Sequence, residues 1–154
     1  MALGAENGEI EINVAGNSTS SSILTMDEAH KEAAPQSVYI GKQRVKIKKL
    51  DSVSHPLISP DKKIFLKIDT QGYEQEVLKG AENSLKYITG IQLELSLISL
   101  YQGQMIYTEL IDLLTQLGFF LWNVIPGFTN IHTGRMLQMD GMFFSNECGN
   151  KVDR

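Results

Sequence analysis

The sequence predicts an α/β fold built on a mostly parallel sheet with an antiparallel last strand. Its second half alternates apolar segments of strand length with segments of helical periodicity, in the order β-α-β-α-β-β. Strands that alternate with helices run parallel, because each crossover helix returns the chain to the same end of the sheet. No helix separates the last two strands, so we expect them to pair antiparallel at an edge. The 154 residues suffice for one domain with a hydrophobic core.

The first fifty residues predict two strands outside that core. Apolar and polar residues alternate over 9–14 and again over 44–48, as in strands with one buried face. We expect the two strands to pair as a peripheral β-hairpin insertion over residues 9–50. Residues 26–35 between them carry a weak helical pattern that ends at a proline.

The core α/β unit is predicted over residues 64–145. It begins with an apolar strand over 64–69, and a helix follows from about Tyr73. Gly80 is expected to end this helix. The next strand, over 91–97, alternates leucine and isoleucine with polar residues.

The remaining elements follow the same rules. Residues 107–117 place apolar side chains at i, i+3, i+4 and i+7, which is typical of an amphipathic helix, and Gly118 is a suitable stop. An apolar strand over 119–125 and a last strand over 136–144 complete the unit. Trp122 is assigned to the core.

Composition and charge exclude several classes of function. The net charge of −4 gives no electrostatic footprint for nucleic acid. No apolar run is long enough to span a bilayer, and the first residues lack the basic and apolar regions of a signal peptide. A single cysteine, Cys148, excludes an internal disulfide and suits a reducing compartment. A cytoplasmic protein without nucleic-acid or membrane partners is therefore expected.

Two carboxylates are the leading candidates for chemistry. Asp69 ends the strand over 64–69, and Glu94 lies on the next strand. The carboxyl ends of parallel strands line the ligand crevice of an α/β sheet, so the two acids are expected to face each other there. Such a pair could orient a hydroxyl, accept its proton or hold a metal. The structural alternatives are that Asp69 caps the following helix and that Glu94 is satisfied by a backbone N–H or a lysine.

Weaker candidates are interpreted more simply. His30, His55 and His132 show no ligand spacing, so each is predicted to lie on the surface. Asp140-Gly141 interrupts an apolar strand and indicates either a β-bulge or a carboxylate aimed into the cleft. The segment 101–104 is predicted to form a mobile lid.

Several motifs together resemble one known family. Residues 65–74 read Phe-Leu-Lys-Ile-Asp-Thr-Gln-Gly-Tyr-Glu, and residues 76–81 read Glu-Val-Leu-Lys-Gly-Ala. With Gln-Leu-Glu-Leu-Ser at 92–96, this arrangement resembles the hallmark of FkbM-type methyltransferases. Further matching motifs lie at 2–4, 13–16, 20–22, 126–128, 133–135 and 137–141.

The resemblance implies a Rossmann-like, S-adenosylmethionine-dependent methyltransferase that acts on a hydroxyl of a sugar or another small metabolite. The strand over 64–69 would be the fourth of its sheet. Strands near 91–97, 119–125 and 136–144 would be the fifth, sixth and seventh. The glycine-rich turn that holds the methyl donor in such enzymes is absent. Residues 1–154 are therefore expected to be a single, N-terminally truncated methyltransferase domain that lacks the first strands and helices.

The resemblance also suggests roles for individual residues. Asp69 and Glu94 would be catalytic, orienting or deprotonating the hydroxyl of the acceptor. The acceptor side would be formed by Gln71, Tyr73, Glu74 and Asp140. The S-adenosylmethionine side would be formed by Leu3, Gly4, Ser20, Ser21 and Ser22.

Two alternatives remain open at this point. The chain could be an inactive remnant or an interaction domain that binds no cofactor, since the glycine-rich turn is missing. It could also use a metal at Asp69 and Glu94, although the sequence does not demand one and we predict none. Absent inner strands would leave an exposed sheet edge, through which we expect copies of the chain to associate.

Overall fold

A computed structural model of the chain describes residues 1–54, 58 and 62–146. In these residues the chain adopts a mixed α/β fold with two sheets and four short α-helices. Within these residues, no helix is long and apolar enough to cross a membrane. The helices are α1 (Glu28–Ala33), α2 (Leu50–Val53), α3 (Glu74–Lys79) and α4 (Tyr107–Gln116).

A three-stranded sheet contains the N-terminal strands β1 (Ala2–Leu3), β2 (Gly8–Ala15) and β3 (Tyr39–Lys48) in the order β1-β3-β2. As the alternating pattern predicts, β2 pairs antiparallel with β3, and β1 adds a short parallel pairing on the other side of β3. The connection between β2 and β3 contains α1, so a helix and its flanking loops separate the paired strands.

A four-stranded sheet contains β4 (Ile64–Ile68), β5 (Ile88–Ser96), β6 (Phe119–Pro126) and β7 (Gln138–Ser145) in the order β4-β5-β7-β6. Only the β4–β5 pairing is parallel, so this sheet is mixed where a mostly parallel one was expected. The last two strands do pair antiparallel. However, β7 lies between β5 and β6, so β6 is one edge strand of this sheet and β4 is the other.

The hydrophobic core covers one face of the four-stranded sheet. Strand β5 shows the pattern most clearly, because Leu93 and Leu95 are fully buried while Gln92 and Glu94, which alternate with them, are half-buried. Helices α3 and α4 contribute apolar side chains that pack against this face. The cluster includes Ile68, Val77, Leu78, Leu110, Leu114 and Phe143.

The other face of this sheet carries a row of aromatic side chains, the aromatic row, formed by Phe65, Phe144, Trp122 and Phe120. Successive ring centroids in this order lie 6.2, 5.8 and 5.6 Å apart. Trp122 is 51% exposed, so its assignment to the core is wrong. The reason is local: alternation along β6 places Trp122 beside Phe120 on the face opposite the core, at the edge of the sheet.

A close backbone approach at Gly80 joins the two halves of the fold. A Cβ added at Gly80 would lie 2.0 Å from the carbonyl oxygen of Gly4. The Gly80 carbonyl also accepts a hydrogen bond from the N–H of Asp51 at 3.0 Å. Only glycine fits between these backbone groups, so Gly80 ends α3 and also lets β1 approach it.

We therefore expect Gly80→Ala to lower the free energy of unfolding by about 1–3 kcal/mol or more, because backbone rather than a flexible side chain must move. Gly41→Ala is the matched control, since a Cβ there meets no atom within 4 Å. Urea denaturation of both variants measures the difference. Equal stability of the two variants would contradict the close approach.

Candidate active site

A strained turn after β4 forms the base of the candidate site. Gln71 has a φ of +53°, in the left-handed region that non-glycine residues seldom adopt, and Gly72 follows with a φ of +93°. The carboxylate of Glu74 stabilises this turn by accepting hydrogen bonds from the backbone N–H groups of Thr70 and Gly72, at 3.1 and 3.2 Å. The turn aims the side chain of Gln71 back over the end of the sheet.

The Gln71 side chain bridges the two predicted acids. Its amide nitrogen donates hydrogen bonds to Asp69 Oδ1 at 3.0 Å and to Glu94 Oε2 at 2.8 Å. Its amide oxygen accepts a hydrogen bond from the Tyr101 hydroxyl at 2.8 Å. The Ser22 hydroxyl donates to the backbone oxygen of Gln71 at 2.7 Å. Asp69 and Glu94 thus come together as expected, with a fixed amide between them.

Glu94 is further held by β7. The amide nitrogen of Gln138, a buried residue, donates to Glu94 Oε2 at 3.2 Å and to Ser96 Oγ at 3.3 Å. Two amides therefore converge on the same oxygen of Glu94. Neither of the structural alternatives expected for Glu94, a lysine or a backbone N–H, is its partner within the described residues.

The electrostatics of the site raise the pKa of Glu94 to about 7. Burial is the largest cause, and the negative charges of Asp69, Glu74 and Asp140 add to it. The positive charge of Lys67 acts in the opposite direction. A carboxyl with this pKa exchanges its proton near neutral pH, which is the property required of a general base or acid.

Asp69 lies in the walls of two cavities. The polar cavity has a volume of about 310 Å³, and its walls include Ser20, His30, Gln71, Glu94, Phe128 and Gln138. The apolar cavity has a volume of about 570 Å³, and its walls include Leu3, Val14, Ser21, Ser22, Val45 and Tyr73. Asp69 lines both cavities. Asp69 is therefore in contact with both volumes.

The residues suggested by the family resemblance divide between the cavities. Gln71 and Ser20 line the polar one, whereas Leu3, Ser21, Ser22 and Tyr73 line the apolar one. Tyr73, predicted on the acceptor side, therefore lies on the opposite side of Asp69.

Three of the suggested residues line neither cavity. The carboxylate of Glu74 is buried in the turn that it stabilises. Gly4 packs against Ile47. Asp140 sits directly opposite Glu94 in the β5–β7 register.

Two predictions about loops and strands are corrected at the site. The β5–β7 register continues without a shift through Asp140 and Gly141, so no bulge occurs between these strands there. The lid expected at 101–104 is anchored: Tyr101 is fully buried, and the Gln104 side chain accepts hydrogen bonds from the Leu100 and Tyr101 N–H groups at 3.0 and 2.7 Å.

The sequence did not predict His30 as a site residue, nor Gln138 or Phe128, which line the same cavity. His30 is only 4% exposed, so its prediction as a surface histidine is wrong, whereas His132 is exposed as expected and His55 lies outside the described residues. The signal was present, because Met26, His30 and Ala33 recur at i, i+4 and i+7 and are all buried. A histidine within an apolar helical stripe indicates burial.

The described residues contain no group of three or more His, Cys, Asp or Glu side chains arranged to hold a metal ion.

A family model described as the methyltransferase FkbM domain matches residues 1–121. This range includes the turn after β4, both candidate acids and His30. No curated protein and no solved structure matches the chain.

The raised pKa of Glu94 makes stability depend on pH. The folded state holds the Glu94 proton more tightly than the unfolded chain, so this group favours folding below pH 4.5 and loses that contribution as pH rises to about 7. The loss is roughly 3 kcal/mol at most. Glu94→Gln removes this loss of stability, because an amide is neutral at every pH of the range. The amide can still accept hydrogen bonds from Gln71 and Gln138.

Urea denaturation between pH 4.5 and 8 measures this effect. We expect the stability of Glu94→Gln, relative to the unsubstituted chain, to increase with pH over this range. Glu82→Gln, at an exposed position, serves as the control. A stability difference between Glu94→Gln and the unsubstituted chain that does not change with pH would refute the raised pKa of Glu94.

Proposed function

The chain belongs to the FkbM methyltransferase family, and we propose that it carries out S-adenosylmethionine-dependent methylation of a hydroxyl on a sugar or other small metabolite. The observation that carries this proposal is the shared position of Asp69 in both cavities. Methyl transfer requires the donor and the acceptor to meet in line at one point. We infer that two cavities with one carboxylate in common supply such a meeting point.

The apolar cavity suits the methyl donor. Its volume of about 570 Å³ lies within the range of small-molecule sites. Leu3, Val14 and Val45 offer apolar surface to a flat purine ring, and the Asp69 carboxylate at the junction attracts a positively charged sulfonium. When bound, S-adenosylmethionine supplies an electrophilic methyl group. The glycine-rich turn expected from the family resemblance is absent from the described walls, so the donor is expected to bind weakly.

The polar cavity suits a hydroxylated acceptor. Carboxylate and amide oxygens accept hydrogen bonds from hydroxyls, and the Phe128 ring offers a flat surface to the C–H face of a sugar. Its volume of about 310 Å³ matches one small molecule or one sugar ring rather than a polymer. The acceptor therefore enters from the side of the polar cavity, opposite the donor.

The two acids take different roles in this proposal. Asp69 is held by Lys67 Nζ, which donates to Oδ2 at 3.0 Å, and by Gln71, which donates to Oδ1 at 3.0 Å. Each oxygen keeps further lone-pair capacity, so Asp69 accepts a hydrogen bond from the acceptor hydroxyl and orients it. Glu94, with its pKa of about 7, takes the proton as the hydroxyl oxygen attacks.

Asp69→Asn tests this assignment. The amide keeps the shape but presents an N–H where the hydroxyl proton must be accepted, so turnover is expected to fall about 10²- to 10⁴-fold. The assay follows methyl transfer from radiolabelled S-adenosylmethionine to a panel of sugars and hydroxylated metabolites. Asp112→Asn, at an exposed position on α4, is the control.

A variant Asp69→Asn with unchanged turnover would remove Asp69 from the mechanism. Absence of transfer to every acceptor by the unsubstituted chain would instead count against enzymatic activity of the chain itself.

A second candidate function is that of an interaction domain that binds no cofactor. It is favoured by the exposed apolar side chains on and near β6, where Trp122, Val124 and Ile125 are each more than 40% exposed. In this proposal, copies of the chain or another protein cover the edge strand β6 and the aromatic row.

Calorimetric titration with S-adenosylmethionine separates the two candidates. We expect weak binding that is diminished in Asp69→Asn, because the carboxylate at the junction attracts the sulfonium. Binding unaffected by the substitution would place the donor elsewhere. No detectable heat up to millimolar donor would favour the interaction domain.

A further inference from the structure

The imidazole of His30 is held rigidly in the wall of the polar cavity. It lies on α1 and is 4% exposed. Its ring packs edge-on against Tyr101 at a centroid distance of 5.2 Å and against Phe128 at 5.2 Å. Both neighbours belong to the site, since Tyr101 binds Gln71 and Phe128 lines the same cavity. The histidine therefore presents its ring to a ligand without having to reorganise.

The position of the imidazole proton follows from burial. The Nδ1 atom is enclosed and has no hydrogen-bond partner among the described residues. Burial lowers the pKa of His30, so the ring is neutral at pH 7. A buried N–H without a partner is less tolerable than an unpaired lone pair. The neutral ring consequently carries its proton on Nε2.

The buried amides of the cavity have no free hydrogen-bond donor, although the buried Ser20 hydroxyl can still donate. The amide nitrogen of Gln71 already donates to Asp69 and Glu94, and that of Gln138 donates to Glu94 and Ser96. Each amide has two hydrogens, so both are fully used. The carboxylates can accept hydroxyl protons, but the buried amides cannot also donate to an oxygen of the ligand.

We propose that His30 donates a hydrogen bond from Nε2 to a second oxygen of the acceptor, next to the hydroxyl that is methylated. This inference rests on the proposed function. The reacting oxygen gives its proton to the acids and directs a lone pair towards the methyl group, so a neighbouring oxygen is the better partner for the imidazole. The polar cavity therefore selects vicinal diols over simple alcohols.

Small probes test this selection without turnover. The dissociation constants of cis-1,2-cyclohexanediol and cyclohexanol are measured by NMR titration, with the side-chain amide signals of Gln71 and Gln138 as reporters. One hydrogen bond between neutral groups should make the diol bind about 3- to 10-fold more tightly. His30→Phe keeps an aromatic ring against Tyr101 and Phe128 but has no donor, so the preference should disappear. His30→Gln places an amide N–H near the position of Nε2 and should retain it.

Each outcome decides the proposal. A diol preference that survives in His30→Phe, or a ¹H–¹⁵N spectrum that shows the proton on Nδ1, would overturn the role of His30 while leaving the polar cavity as the acceptor site. Absence of binding by both probes to the unsubstituted chain would overturn this role and the acceptor site together. Loss of the preference in His30→Phe with retention in His30→Gln supports the proposal.

Discussion

The candidate site depends on one hydrogen-bonded amide, that of Gln71, which keeps two carboxylates adjacent at the end of the sheet. The amide is in place only because Gln71 adopts a left-handed backbone conformation. That conformation is supported from three directions, by the Glu74 carboxylate inside the turn and by the hydroxyls of Ser22 and Tyr101. The hydroxyls of Ser22 and Tyr101 thus help to position the Gln71 amide.

The two faces of the four-stranded sheet carry different groups: one carries the hydrophobic core and the other carries the candidate acids. On one face, β5 buries Leu93 and Leu95 against helices. On the other face, the same strand presents Glu94 level with Asp140 on β7, near Asp69 at the end of β4. Successive side chains of a strand point to opposite faces of the sheet. The leucines of β5 can therefore fix the position of the strand in the core while Glu94 stays outside the core.

Local patterns predicted much of this arrangement. Periodicity identified the strands and helices, and the rule that parallel strands end at one edge brought Asp69 and Glu94 together. The position of β7 between β5 and β6 was not predicted, because sheet order depends on long-range packing. Trp122 was misassigned, because an apolar residue on an edge strand can lie on the sheet face opposite the core. His30 was missed because its helix was too short to be assigned from sequence.

The acid cluster is better explained by reactivity than by stability. The negative charges of Asp69, Glu74 and Asp140 act on Glu94, whereas the positive charge of Lys67 opposes them. A glutamine at position 94 would accept the same hydrogen bonds from Gln71 and Gln138 without like-charge repulsion or the cost of desolvating a carboxylate. A glutamine, however, cannot accept and release a proton near pH 7. In the proposed function, the transfer of a proton accounts for a glutamate at this position.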